Sequence, residues 1–143
     1  MTVANCNFSY KKEVKGKPVK GSQIYSTLNA GWQRSESNTR HLFSVLNEGC
    51  AVAPGLYEGG YKNRESFMQG QLVLMDFDDT MEWSLAKDFA FFKEHCLFAY
   101  TTASHGLDGQ SRFRVVATFE RPIASADLYD RKIEALQQLI PGQ

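Results

Sequence analysis

A chain of 143 residues, 43% apolar and 22% charged, has the make-up of one soluble globular domain with a real core, and it shows no internal repeat or low-complexity stretch. A net charge of zero removes any global electrostatic case for a nucleic-acid partner. The charge is uneven, however: residues 1–40 carry seven Lys and Arg (Lys11, Lys12, Lys15, Lys17, Lys20, Arg34, Arg40) against Glu13 and Glu36, which leaves the remainder net acidic. A basic arm beside an acidic body suits a polyanion, and a Lys-rich solvated hairpin gives the same composition.

Cys6, Cys50 and Cys96 are odd in number and lack C-x-x-C spacing. That pattern argues against a disulfide framework or zinc site and for a reducing, cytoplasmic compartment. No apolar run reaches membrane-spanning length, and the N-terminus has no signal-peptide pattern, so no membrane partner is expected.

In chain order, residues 8–28 alternate loosely around Lys15-Gly16-Lys17-Pro18, which predicts a hairpin or two short strands. Residues 38–48 predict a helix: Asn38 caps it, Leu42, Val45 and Leu46 share a face, and Gly49 ends it. Ala51-Val52-Ala53 is a short strand halted at Pro54-Gly55. The Gly-rich polar stretch 55–70 predicts a long loop of the kind that carries function. Residues 71–77 are apolar on both faces and predict a central strand.

A helix follows near 82–94, capped by Thr80 or Ser84, with Leu85, Phe89 and Phe92 as its buried stripe. Residues 96–102 form a strand, 103–110 a loop, and 111–119 a strand that Arg121-Pro122 ends. A last helix starts at Ser125, buries Tyr129, Ile133, Leu136 and Ile140, and stops at Pro141-Gly142. This order describes an α+β fold, a mainly antiparallel sheet with helices packed on one face. It is expected as a single domain over 1–143, with a basic hairpin and helix in 1–48 and a motif-bearing core in 49–143.

Most of the chemistry is concentrated in Asp76-Phe77-Asp78-Asp79, at the end of the apolar run Leu72–Met75. Strand alternation puts Asp76 and Asp78 on one face and Phe77 on the other. Two neighbouring carboxylates repel, and a divalent cation relieves that repulsion. Downstream, Ser104-His105 and the same-face pair Arg112 and Arg114 supply donors for the phosphates such a metal bridges. Lys62 and Arg64 in the long loop are further phosphate or template donors, and Trp32 and Tyr57 are possible stacking groups. Phe89, Phe91 and Phe92 read as core.

Asp76-Phe77-Asp78-Asp79-Thr80 resembles the D-x-D-x-T motif of haloacid-dehalogenase-like phosphohydrolases, which implies Asp76 as nucleophile, Asp78 as acid/base and Thr101 or Thr102 as a second motif. That family opens with the motif, whereas 75 residues precede it here, and its Lys and further acidic pair do not appear after Thr80. More of the chain, residues 49–123, resembles the archaeo-eukaryotic primase superfamily, nearest the primase-polymerase domains of plasmid and phage replication proteins. The matching motifs are Leu74-Met75-Asp76-Phe77-Asp78, then Thr102-Ala103-Ser104-His105, then Ser111-Arg112-Phe113-Arg114-Val115-Val116. The lead-in Gly49–Arg64 is similar as well.

This resemblance implies an RRM-like catalytic sheet that binds a nucleoside triphosphate with Mg²⁺ or Mn²⁺ and extends a single-stranded or primer-template nucleic acid, alongside a helicase domain or protein. It makes Asp76 and Asp78 metal ligands, puts Ser104 and His105 on the triphosphate, and puts Arg112, Arg114 and Arg64 on phosphate or template. The superfamily places a third carboxylate on a strand beyond the last helix, and the sequence stops at Gln143. Either the chain is a fragment, or Asp79, Asp108 or Glu120 substitutes, or the domain is a non-catalytic nucleic-acid-binding module.

Overall fold

The computed structural model describes residues 3–15, 29–102 and 105–140, with residues 13–15 as backbone only. The chain is α+β, with seven strands among the described residues. They are β1 (Asn5–Lys15), β2 (Gln33–Asn38), β3 (Cys50–Ala53), β4 (Gly55–Tyr57), β5 (Phe67–Asp78), β6 (Phe98–Thr101) and β7 (Arg112–Ile123). The helices are α1 (Thr39–Asn47), α2 (Trp83–Ala86), α3 (Ala90–His95) and α4 (Ala126–Leu139). Three strands form one sheet in the order β2-β1-β3, and four form another in the order β4-β5-β7-β6. Among the described residues no helix is long and apolar enough to cross a membrane.

The chain gathers into two compact units, Val73–Thr118 with Asp130–Gln143, and Thr2–Leu72 with Phe119–Tyr129. In the second unit, β1 is the central strand, antiparallel to both β2 and β3. The first part of the hairpin expected over 8–28 is strand β1, whose partners come from 33–38 and 50–53; the rest of it, with the turn at 16–18, lies outside the described residues. β2 was not anticipated. Its sequence Gln-Arg-Ser-Glu-Ser-Asn has only Ser35 buried, so it carries no apolar alternation, and its backbone ladder to β1 makes it a strand. α1 starts as expected, with the Asn38 side chain accepting from the Arg40 and His41 N–H groups, and it buries Leu42 and Val45.

The expected loop over 55–70 begins as a strand. Leu56 and Tyr57 are buried, and β4 pairs with β5 where Gly55 lies so close to Gln69 that a Cβ would sit 2.8 Å from its carbonyl oxygen. β5 accordingly starts at Phe67, four residues earlier than its apolar run suggests. Its place between β4 and β7 agrees with the central position expected from burial on both faces.

In the first unit, the C-terminal half of β5 is followed by α2 and α3, then β6, then β7 returning between β6 and β5. This is the strand order of a split β-α-β-β unit. β6 and β7 are antiparallel, with Tyr100 opposite Arg114 and Phe98 opposite Val116. Contacts between β5 and β7 also step in opposite directions: Phe77 stacks on Phe113 at 4.9 Å, and Asp79 N–H donates to the Ser111 carbonyl at 2.7 Å. The antiparallel sheet differs from the doubly wound parallel one that the dehalogenase resemblance implies. Helices cover the Phe77 face, where Phe92 of α3 lies edge-on to Phe77 at 5.6 Å and Trp83 of α2 lies 5.1 Å from Phe113.

The single helix expected over 82–94 is two short ones. The first ends at Lys87, still in right-handed backbone, Phe89 adopts extended backbone before Ala90, and neither helix has a side-chain N-cap. With the break, Leu85 turns outward at 62% exposed, while Ala86 and Phe92 are buried. β7 runs through Pro122 to Ile123 rather than ending at Arg121. β6 pairs only with residues 113–116, so this end has no β6 neighbour needing the missing N–H. α4 carries the expected cap, with Ser125 Oγ accepting from Leu128 N–H at 3.2 Å; it buries Tyr129, leaves Ile133 and Leu136 only half-buried, and is followed at its end by buried Ile140. Pro141 and Gly142 lie outside the described residues.

Candidate functional site: an acid–arginine sheet face

Asp76 and Asp78 are exposed on β5 and Phe77 between them is buried, the alternation expected from the sequence. Facing them on β7 are Arg114 and Arg112. Asp76 takes Arg114 through both oxygens, Nε–Oδ1 at 2.5 Å and Nη2–Oδ2 at 3.0 Å. Asp78 Oδ1 takes Arg112 Nε at 2.6 Å. The mutual repulsion of the carboxylates is thus answered by two guanidinium groups two residues apart on the neighbouring strand. The acids are the outer partners, with side chains 60% and 77% exposed against 27% and 23% for Arg114 and Arg112.

Each arginine has a further neutral partner. Arg114 Nη1 donates to the Tyr100 hydroxyl at 3.4 Å, and Arg112 Nη2 donates to the Gln110 side-chain oxygen. Burial disfavours the charged form of Arg114, but Asp76 and Tyr100 more than offset this and hold it protonated beyond its ordinary range. Burial likewise pushes the Tyr100 hydroxyl up, with Arg114 pulling it down and Asp76 adding to the rise.

His105 belongs to this face through Arg112. Its Nδ1 accepts the Arg112 backbone N–H at 3.1 Å, and its own N–H donates to the Thr102 carbonyl at 2.9 Å. An accepting Nδ1 leaves the ring proton on Nε2, so the neutral imidazole keeps one donor for a ligand. The ring lies 6.3 Å from Trp83, near edge-on. The turn that returns the chain to β7 needs positive φ at Gly106 and Gly109, where glycine has no Cβ to strain. Ser104 lies outside the described residues.

The chain leaves β5 sharply at Asp79, which takes a left-handed backbone (φ 58°) pinned by Ser111. Ser111 N–H donates to Asp79 Oδ1 at 3.4 Å, and Ser111 Oγ accepts from the Trp83 N–H at 3.2 Å and donates to Glu82 at 3.4 Å. Asp79 therefore serves the turn. Asp108 also has a left-handed backbone, in the 3₁₀ turn after Gly106, and Glu120 lies on the stretch of β7 that belongs to the other unit. Among the described residues no group of three or more His, Cys, Asp and Glu side chains is gathered to hold a metal ion. Asp76 and Asp78 are the residues of this face that could hold a hard cation, with water and phosphate oxygens completing its shell, once their oxygens are released by the arginines.

The remaining candidates belong to the second unit. Arg64 pairs with Asp127, and Lys62 lies over the Trp32 ring at 5.3 Å. Trp32 and Tyr57 are buried together with Ala53, which leaves neither ring open for base stacking. Tyr100 and Gln110 complete the face and were not identified from sequence. The period of two put Tyr100 on one face of its strand, but nothing local revealed which neighbour it would meet.

The chain matches no known protein-family model, no curated protein and no solved structure.

Proposed function

We propose that the Asp76/Asp78–Arg112/Arg114 face binds a metal-complexed nucleoside triphosphate, as the nucleotide site of a primase-polymerase-like nucleotidyltransferase acting on nucleic acid in plasmid or phage replication. The observation that carries this is the cross-strand placement of two carboxylates against two guanidinium groups, with a neutral imidazole fixed on the backbone of one of them. Strand positions are rigid, and rigidity is what a phosphoryl site requires.

On this reading Asp76 and Asp78 would hold Mg²⁺ or Mn²⁺, which when bound would supply the charge that steadies the attacking and leaving oxygens. Arg112 and Arg114 present planar forks that match phosphate oxygens. His105 adds an Nε2–H donor towards the polyphosphate. The split β-α-β-β order of the first unit and the order of the three motifs along the chain support the resemblance. The absence of a disulfide among Cys6, Cys50 and Cys96 is compatible with the cytoplasm.

Calorimetric titration with a nucleoside triphosphate plus Mn²⁺ tests this. Binding heat should vanish in Asp76→Ala and Asp78→Ala and weaken in His105→Ala. Equal heats across wild type and all three variants would refute it.

A further inference from the structure

The same ion pairs bear on how such a ligand would enter, a question that rests on the proposed nucleotide site. We infer that the two acid–arginine pairs form an exchange device, in which a cation displaces the arginines from Asp76 and Asp78 while a polyphosphate receives them, so that cation and polyphosphate bind together and each binds poorly alone.

At rest the four groups are neutral as a set, two carboxylates against two guanidinium groups. Asp76 has both oxygens engaged by Arg114. A dication arriving alone must take an oxygen from that fork and leaves a guanidinium beside a like charge. A polyphosphate arriving alone must draw an arginine outward and then faces the carboxylate which that arginine leaves bare. Arriving together, they give every released group an opposite charge.

Side-chain build and exposure fit this division of labour. The carboxylates are short, fixed to the strand and the more exposed partners, so they can stay in place and meet the cation. The arginines are long and can swing. Their neutral partners, Tyr100 and Gln110, hold the guanidinium planes near the face once the acids are taken. The ligand class is therefore a metal-complexed polyphosphate, in preference to a free phosphate or a lone ion.

Removing the acids makes the sharpest test, because exchange predicts a gain. Wild type, Asp76→Asn and Asp78→Asn are titrated with inorganic tripolyphosphate in excess chelator, and with a non-hydrolysable nucleoside triphosphate in the presence and absence of Mn²⁺. In wild type, Mn²⁺ should tighten nucleotide binding by about 5- to 150-fold, the range of ordinary coupling between ligands. Each Asn variant should bind metal-free tripolyphosphate about two- to fivefold tighter than wild type, the worth of one exposed ion pair, and should lose the Mn²⁺ enhancement. Arg112→Gln should bind Mn²⁺ alone tighter by a similar factor, an independent readout from the other side of the pair. Far-UV circular dichroism verifies that each variant is folded.

If wild type binds the Mn²⁺–nucleotide but neither Asn variant gains metal-free affinity, the exchange device is overturned and the nucleotide site stands. If wild type binds no nucleotide even with Mn²⁺, the nucleotide site falls and the exchange falls with it.

Discussion

Cys96 shows how burial alone sets the chemistry of one residue. It follows α3, its N–H bonding to the Phe92 carbonyl at 3.1 Å, and it is half-buried where Cys6 and Cys50 are buried. Desolvation pushes its thiol from an ordinary 9.0 up to about 11, because a thiolate there would lose water without gaining a partner. Its proton is therefore held more tightly in the folded chain than in the unfolded one. The stability linked to it is whole below pH 9.0 and is lost as pH rises towards 11, since the unfolded chain ionises first. Melting temperatures of wild type and Cys96→Ala, measured from pH 8 upward, should converge or cross through that window; a difference independent of pH would count against the assignment. Alkylation at Cys96 should for the same reason stay slow at neutral pH.

Between elements, α4 is fixed to β5 by Tyr129. Its hydroxyl donates to the Leu72 carbonyl at 2.7 Å, and its ring lies 5.8 Å from Phe67 and 6.0 Å from Phe119. The ring rests on Gly70, where a Cβ would sit 2.5 Å from Tyr129 Cδ2. Gly70→Ala must push that ring away and should cost about 1–3 kcal/mol by overpacking, read as a lower urea midpoint at unchanged slope. Tyr129→Phe keeps the ring and loses one buried hydrogen bond, so its smaller loss separates packing from bonding.

The helix stripe that places Tyr129 was legible, because cap, period and partners all lie close together in sequence. The same signals misled at Leu85: its spacing to Phe89 and Phe92 is helical, but Phe89 gives up the helix to pack edge-on against Phe92 at 4.8 Å, and no local rule encodes that choice. β2 was silent because backbone pairing, not side-chain burial, makes it a strand. At the site, the alternation of Asp76, Phe77 and Asp78 was readable from period two alone. That Arg114 would face Asp76 depends on the register between β5 and β7, which Phe77 and Phe113 set by stacking from positions 36 residues apart. From sequence, the acids and arginines are assigned to separate ligands; in the fold they meet each other first.

Across the whole molecule, the surplus of positive charge in residues 1–40 is the electrostatic feature that favours nucleic acid, and the fold has already used part of it. Lys11 is 8% exposed and donates to the Ala30 carbonyl, so it holds backbone in place. Lys12, Arg34 and Arg40 are exposed. Lys15 carries its charge outside the described side chains, and Lys17 and Lys20 lie outside the described residues.

If the proposed partner is correct, single-stranded DNA should bind with an affinity that falls steeply with salt, because neutralised phosphates release counterions. Neutralising Lys12, Arg34 and Arg40 should weaken that binding and flatten its logarithmic salt slope by about 0.7 for each phosphate that no longer has a cationic partner. Lys11→Ala should lower thermal stability instead and leave the slope of the folded protein unchanged. Fluorescence anisotropy across a salt series reads both affinity and slope, and thermal melting reads the stability of Lys11→Ala. A slope that ignores the exposed residues would remove the basic segment from the DNA path. Affinity that survives in Asp76→Asn/Asp78→Asn would show that strand binding and the acid face act separately.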